Sequence, residues 1–526
     1  LKRARPAQFL FAMLRYRFSL RVPLCLFTCG VILEGTSAVE DSPSGGPPAE
    51  EAGEGPREKA KALANDGLKL LEGGDAAAAE QKFKAAIELA PAEAYLHGQL
   101  ADALEQRKDY EGAEGSLRTA LQLDPKDAGR HAELGDLMRS KGDLQGAAQC
   151  YKTAVGIDPT RYKSWDDLGT TQATDGNYTE AEDSFRSALL LSPADWRTHL
   201  SLGKVLLFTA NRSDAEASFR EALRIDPKQA EVHEWLGIVL EDGGDVEGAR
   251  TSYEVAIEVD ATHASSHFRL GMLLEKTEDR ARAKKMYKKA VNLHPQQAQM
   301  HLRLASLLLQ SREYEEGEGA LRAALGVDPE NVEAHVSLGQ LQLLQGDSRE
   351  AAKSYQRALE IDPRQPDALS GQGDVHAQLN DPEGAVVGYR AALAVDPTRV
   401  QKHVQLGTIL GDLDRAEEAR ASTRAAISLR PADVKVWMAH GIALAKIDSS
   451  EKGLQKAEKA FKKAIKMDPA HSDAHFFLGK SQAGQRNKRK EAFESVKVAL
   501  ALDKHNSQAT ELAAALHREL TEAGEL

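Results

Sequence analysis

The sequence predicts an all-α fold, a right-handed superhelical solenoid of stacked antiparallel helix pairs with a C-terminal capping helix. Three observations carry that expectation. A 34-residue skeleton returns from about Ala60 to Lys504, and a fixed period of this size means stacked supersecondary units. Within each unit the recurring positions are spaced for helix faces rather than strands: positions 4, 7, 8 and 11 fall on one face, and 20, 24 and 27 on another. Finally, Pro closes most units at position 32, as at Pro91, Pro125, Pro159, Pro193 and Pro227. Proline cannot continue a helix, so the second helix of each unit stops there.

Each element of the unit has its own justification. Position 8 is small throughout, as at Gly67, Ala101, Gly135, Gly169, Gly203 and Gly237. Position 20 is Ala in twelve units and Gly317 in the other, and position 27 is Ala in all thirteen. Small residues at these places let two helix backbones approach closely. A ring at position 24, as at Phe83, Tyr151, Phe185, Phe219, Tyr253, Tyr287, Tyr355, Tyr389 and Phe461, then fills the space beside them. Short polar turns such as Asp175-Gly176-Asn177 and Gly243-Gly244-Asp245 separate helix A from helix B.

The residues Trp165, Leu168, Gly169, Ala181, Phe185, Ala188 and Pro193 spell W-x2-L-G, then A-x3-F-x2-A, then P. This pattern resembles the tetratricopeptide repeat (TPR), and about thirteen tandem copies are expected. Departures are local. The sixth unit has Ala261 for Pro and the eighth has Ala305 and Gly317. The twelfth carries four extra residues between Leu444 and Ala457, expected in its A–B turn. The thirteenth has one extra residue and Lys504 where Pro would sit.

Along the chain, residues 1–38 read as a targeting segment. Arg15, Arg17 and Arg21 precede an apolar run from Val22 to Leu33, and Thr36-Ser37-Ala38 offers small residues for cleavage. This resembles a secretory signal peptide and favours the secretory pathway, with an organelle or the cytoplasm as alternatives. The run is too short to span a bilayer, so no transmembrane anchor is expected. Residues 39–58 form an acidic Pro/Gly linker. The array occupies 59–504. Residues 505–526 supply a capping helix and tail, with Leu512, Leu516 and Leu520 on one side. Two glycosylation sequons begin at Asn177 and Asn211, both at position 16 in an A–B turn.

Composition narrows the function. A net charge of −12 argues against bulk nucleic-acid binding. The three cysteines, Cys25, Cys29 and Cys150, give no disulfide framework in the array. His occupies position 4 in nine units, among them His97, His131, His199 and His233. Stacked repeats lie about 10 Å apart, too far for ligands that sit about 2 Å from one metal ion, so these read as packing residues. The stretch from Ala474 to Ser481 matches a relaxed phosphate-binding loop but lies inside a helix, not after a strand. The basic stretch from Arg486 to Lys490 reads as a solvated turn. No catalytic constellation, metal motif or cofactor motif is present, and the chain is expected not to be an enzyme.

The resemblance implies a concave groove lined by helix A positions 2, 5, 9 and 12, with 6 and 13 nearby. Here those positions give an acidic zone that includes Asp102, Glu105, Glu133, Asp136, Asp166 and Asp167. An apolar zone follows, with Leu200, Phe208, Trp235, Ile238, Phe268, Leu302 and Val336 and with Arg269 and Arg303 beside it. The expected function is a non-catalytic scaffold whose groove takes a protein or peptide segment, with no nucleic acid and no small-molecule substrate. The competing reading of the apolar residues is burial between neighbouring A helices. No unit has the Lys at position 5 required by the chaperone-binding carboxylate clamp. Position 6 also lacks the asparagine ladder of the O-GlcNAc transferase superhelix. An alternative from another class is the regulatory arm of such a glycosyltransferase, with its catalytic region elsewhere.

Overall fold

The computed structural model describes residues 55–524. The expected targeting segment, and the linker up to residue 54, lie outside the described residues. Twenty-seven helices and no strands occur among the described residues. Twenty-six pair into thirteen repeats, and Ser507–Glu522 follows as a lone helix. The first helix begins at Pro56, ahead of the expected array start at Lys59. Proline suits a helix's first position because its missing N–H has no intrahelical partner there.

The chain divides into two compact units, one ending at Leu273 and the other beginning at Leu274. Each is an all-α solenoid. Within each, an A helix packs on the B helix of its own repeat, and that B helix packs on the next A helix. No described helix is long and apolar enough to cross a membrane.

The small residue at position 8 faces the ring at position 24. A Cβ added to Gly203 would lie 2.5 Å from Phe219 Cε1, and one added to Gly237 would lie 2.5 Å from Tyr253 Cε1. The same holds for Gly67 against Phe83 and Gly441 against Phe461. These rings are fully buried. In repeats 2 and 8 position 24 is Leu117 or Leu321, and position 8 there is alanine, Ala101 or Ala305. A branched aliphatic side chain leaves room for a methyl that an aromatic ring does not.

The A–B turn has a fixed backbone. Position 15 takes a left-handed conformation, with φ between 84° and 89° at Gly74, Gly142, Gly176, Gly244 and Gly346. Seven repeats place a side-chain-bearing residue there instead: Lys108, Ala210, Glu278, Arg312, Asn380, Asp414 and Asn487. Position 16 caps helix B. Asp75, Asp109, Asp143 and Asp245, for example, each accept a hydrogen bond from the backbone N–H three residues on.

The twelfth repeat differs from expectation. Its extra residues lengthen helix B rather than its turn: Glu451–Met467 has 17 residues where the other B helices have 14. Ser450 caps this helix through Gly453 N–H, so the added turn is helical from its first residue. The terminal helix buries Leu516 and Leu520 and packs on Val496 and Ala499 of repeat 13.

Candidate functional site

The position 4 histidines do more than pack. The ring Nε2 of His97, His131, His199, His233, His301, His335, His403 and His475 lies 2.9–3.1 Å from the carbonyl of the position 32 proline six residues earlier. His267 meets the carbonyl of Ala261 in the same way at 3.1 Å, so the acceptor need not belong to proline. Trp165 and Trp437 donate their indole N–H to Pro159 and Pro431 at 3.0 and 2.8 Å. Since a carbonyl only accepts, each histidine donates through Nε2–H. What Trp and His share is a ring N–H, and that is the property the site uses.

The acidic zone is contiguous in the first unit. Arg130 bridges Asp102 at 2.8 Å and Glu133 at 2.6 Å. Arg139 bridges Asp136 at 2.8 Å and Asp167 at 3.0 Å, and Tyr151 donates its hydroxyl to Asp136 at 2.7 Å. Thr198 donates to Asp166 at 2.7 Å. Two guanidiniums therefore pair with four carboxylates on three successive A helices, and Glu105 and Asp166 lie on the same helices. The pairing does not satisfy the acids fully. Withdrawal from bulk water pushes Glu133 up to about 7 against the pull of Arg130, with Asp102 adding repulsion. Desolvation, then Asp136, pushes Asp167 up to about 6. Glu105 and Asp166 are also raised, chiefly by desolvation.

The apolar zone is packed. In the first unit Leu200, Trp235, Ile238 and Phe268 are all buried. Trp235 lies over Phe219 with ring centroids 6.4 Å apart, and Lys204 sits 5.3 Å above its ring. Phe208 is half-buried and stacks on Tyr178 at 4.4 Å, with the rings nearly parallel. Arg269 is half-buried, 3.9 Å from buried Glu234. In the second unit Leu302 and Val336 are buried and Arg303 is half-buried. Most of the apolar set therefore forms walls between helices, and the carboxylates supply the accessible polar groups of the A-helix face.

The sequons lie where position 16 caps helix B. Asn177 is exposed and Asn211 half-buried, and Asn211 accepts from Asp214 N–H at 3.4 Å. The basic turn of repeat 13 departs from a solvated turn. Lys488 reaches back to Glu458 at 2.8 Å, and Arg489 pairs with Glu519 at 3.0 Å. Glu458 is buried and also meets Lys462 at 2.8 Å and Gln485 at 3.0 Å. Burial pushes its carboxyl up, but these partners outweigh that and hold it at about 2. The stretch from Ala474 to Ser481 lies within the helix Ser472–Ala483, and Gly479 there abuts Val496.

Charge pairs also link neighbouring repeats at fixed register. Position 21 meets position 14 of the next repeat, as in Glu80 with Arg107 and Glu114 with Lys141 at 2.6 Å, and Gln485 donates a hydrogen bond to Glu458 in the same register. Position 25 meets the next position 19, as in Lys152 with Glu180 at 2.9 Å, Lys288 with Glu316 at 2.6 Å, and Arg390 with Glu418.

Tetratricopeptide repeat family profiles match residues 66–128, 200–264, 268–318, 302–366, 345–399 and 450–507, and a second profile of the family matches 129–161, 162–195 and 403–433. The chain belongs to the tetratricopeptide repeat family and has the architecture of a protein-interaction scaffold. No curated protein is a significant sequence match. Among solved structures, it is similar to yeast Tom70, at 15% identity over 88% of this chain and 96% of that one, with a TM-score of 0.34. It is also similar to a chain of the APC/C hetero-tetramer Cut9–Hcn1, at 14% identity over 87% of this chain and 96% of that one, with a TM-score of 0.42. YrrB, a TPR protein with an unusual peptide-binding site, is 22% identical over 38% of this chain and 97% of its own, with a TM-score of 0.31.

Proposed function

We propose that this chain is a non-catalytic scaffold that holds a partner protein by an extended segment on the A-helix face. In repeats 2 to 4 that segment carries lysine or arginine. One observation carries the reading: carboxylates on three adjacent A helices are raised toward neutrality, Glu133 to about 7 and Asp167 to about 6, although two arginines already lie between them. Such a surface gains from further cations, which restore the ionised forms. Basic side chains of a partner would satisfy the acids, while the packed apolar residues beyond keep the helices in register.

The test is titration of a fluorescent oligo-lysine peptide into the full chain, into the double variant Glu133→Gln/Asp136→Asn, and into the control Glu88→Gln/Glu258→Gln. The control removes two exposed carboxylates elsewhere. The first variant should weaken binding by about tenfold, and the control should do so by less than about twofold. Binding should also weaken as pH falls through 7, because protonated Glu133 no longer attracts a cation. Equal loss in both variants would reduce the interaction to net charge alone and sink the reading.

A further inference from the structure

The lengthened B helix of repeat 12 carries a feature unlike the rest of the array. Glu451–Met467 contains six lysines in a chain whose net charge is −12. Lys452, Lys456, Lys459, Lys463 and Lys466 follow one another at intervals of four, three, four and three residues, which places them on one helix face. All five are exposed. At about 1.5 Å per residue they form a straight line of charge about 21 Å long. The opposite face, with Leu454, Ala457, Ala460, Phe461 and Ala464, is buried in the solenoid.

The acids nearby are held by other hydrogen-bond partners, although Asp448 also feels the charges of Lys452 and Lys456. Glu458 is buried beneath Lys462 and Lys488, and Asp448 accepts from the Ser450 backbone N–H at 2.9 Å. Other basic B-helix positions meet a carboxylate on the next repeat, as Lys152, Lys288 and Arg390 do. Among the described residues Lys452, Lys456, Lys459 and Lys466 form no ion pair, and Lys463 sits 4.1 Å above the Trp437 ring. The extra helical turn of this repeat contributes Lys452, the first member of the line.

We infer that this lysine line is a docking site for an acidic polypeptide segment, one rich in Asp and Glu, supplied by a partner protein. Its geometry selects among anionic partners. The B helix of repeat 11 carries exposed Glu417, and that of repeat 13 carries exposed Glu491 and Glu494. A membrane surface or a nucleic-acid duplex presents a broad sheet of negative charge that would meet those carboxylates, each already paired with Arg420, Lys488 or Lys497, as well as the lysines. A single extended or helical acidic segment lying along the line would meet the lysines alone. The site is separate from the acidic A-helix face and opposite to it in sign.

The experiment measures binding of a fluorescent oligo-glutamate to the full chain by anisotropy, at low and high salt. The variant is K452Q/K456Q/K459Q/K463Q/K466Q. The control, K59Q/K61Q/K108Q/K126Q/K228Q, removes five exposed lysines elsewhere. Circular dichroism confirms that both fold. The inference requires at least about a tenfold weaker affinity in the first variant, less than about a twofold change in the control, and loss of binding at high salt. Equal affinities for both variants, or no oligo-glutamate binding by the wild-type chain, overturn it. So does tighter binding to phosphatidylserine vesicles or to an RNA duplex than to oligo-glutamate when that binding is lost in the first variant. The Glu133→Gln/Asp136→Asn variant should bind oligo-glutamate normally, so failure of the oligo-lysine test leaves this result independent.

Discussion

Replacing Gly203 with alanine tests the packing rule that organises the array. The same substitution at Gly115 is its natural opposite. Both glycines lie inside helices, where alanine is favoured over glycine by about 1 kcal/mol. At Gly115 nothing lies within 4 Å of the added methyl, so Gly115→Ala should stabilise by about that amount. At Gly203 the methyl would meet Phe219 at 2.5 Å (Cε1) and 2.8 Å (Cδ1 and Cζ). Carbons pack at about 3.5–4.0 Å, so a fully buried ring must move by about 1 Å. Overpacking of this kind costs about 1–3 kcal/mol, leaving Gly203→Ala net destabilising by about 1 kcal/mol. Stability in a repeat array is a sum of local and neighbour terms. Hydrogen exchange of the helices Trp196–Phe208 and Arg212–Ile225 is therefore the sharper assay, with urea midpoints alongside. Adding Phe219→Leu should recover part of the loss, because alanine opposite leucine is the pairing in repeats 2 and 8. The double variant should then be more stable than the two single effects predict, by about 1 kcal/mol. If Gly203→Ala stabilises as much as Gly115→Ala, or if Phe219→Leu gives no coupling, the rule is wrong.

Arg312→Gly should stabilise by about 1 kcal/mol, since Arg312 holds φ 61° in a turn that glycine occupies in other repeats; an unchanged urea midpoint would contradict this. His233→Phe removes the donor to the Pro227 carbonyl and should cost about 0.5–1.5 kcal/mol, whereas His233→Trp should cost less because it keeps a ring N–H. Glu458 is held at about 2, below its ordinary 4.5, so its contribution of about 3 kcal/mol is complete above pH 4.5 and lost as pH falls toward 2. Glu458→Gln should lower stability at pH 7 and erase that part of the acid dependence in a pH series of denaturant midpoints. Glu133 is raised instead, so folding favours its protonated form and its penalty appears as pH rises from 4.5 to about 7. Because its side chain is 41% exposed, screening reduces the effect to about 1 kcal/mol. Glu133→Gln should accordingly raise the thermal midpoint at pH 8 and leave it little changed at pH 4.

The repeat frame was legible because it rests on local rules. Proline at position 32 ends helix B by a purely local clash, and the glycine at position 8 matches the ring at position 24 within a single unit. Features that cross between units were harder to see. Glu114 and Lys141 are 27 residues apart, and only the stacking register makes them neighbours. Lys488 sits in a run of cations that reads as solvated until Glu458, thirty residues earlier, is found buried beneath it. The apolar anchors Leu200, Phe268, Leu302 and Val336 were ambiguous for a physical reason. Helix A presents an edge to its neighbour and an edge to the open face less than one side chain apart, and only packing assigns them to the first. The histidines illustrate a limit of residue classes. Grouped with aromatics they suggest packing, whereas grouped by ring N–H they suggest a donor. The lengthened helix of repeat 12 did leave a signal, because Ser450 is a natural N-cap placed one turn early.

The ring-to-carbonyl bond at the start of each repeat has a mechanical consequence. It spans six residues and closes a loop over the Asp-Pro corner between one helix B and the next helix A. Tension applied along the chain cannot straighten that corner until the bond gives way. Eleven of the thirteen repeats have a histidine or tryptophan in place to serve as such a latch. Leu63 and Leu369 occupy the same position in repeats 1 and 10 and offer no N–H. Within the second unit, the corner ahead of Leu369 lacks the latch, and Gln372 and Gln378 bond back to repeat 9 there instead.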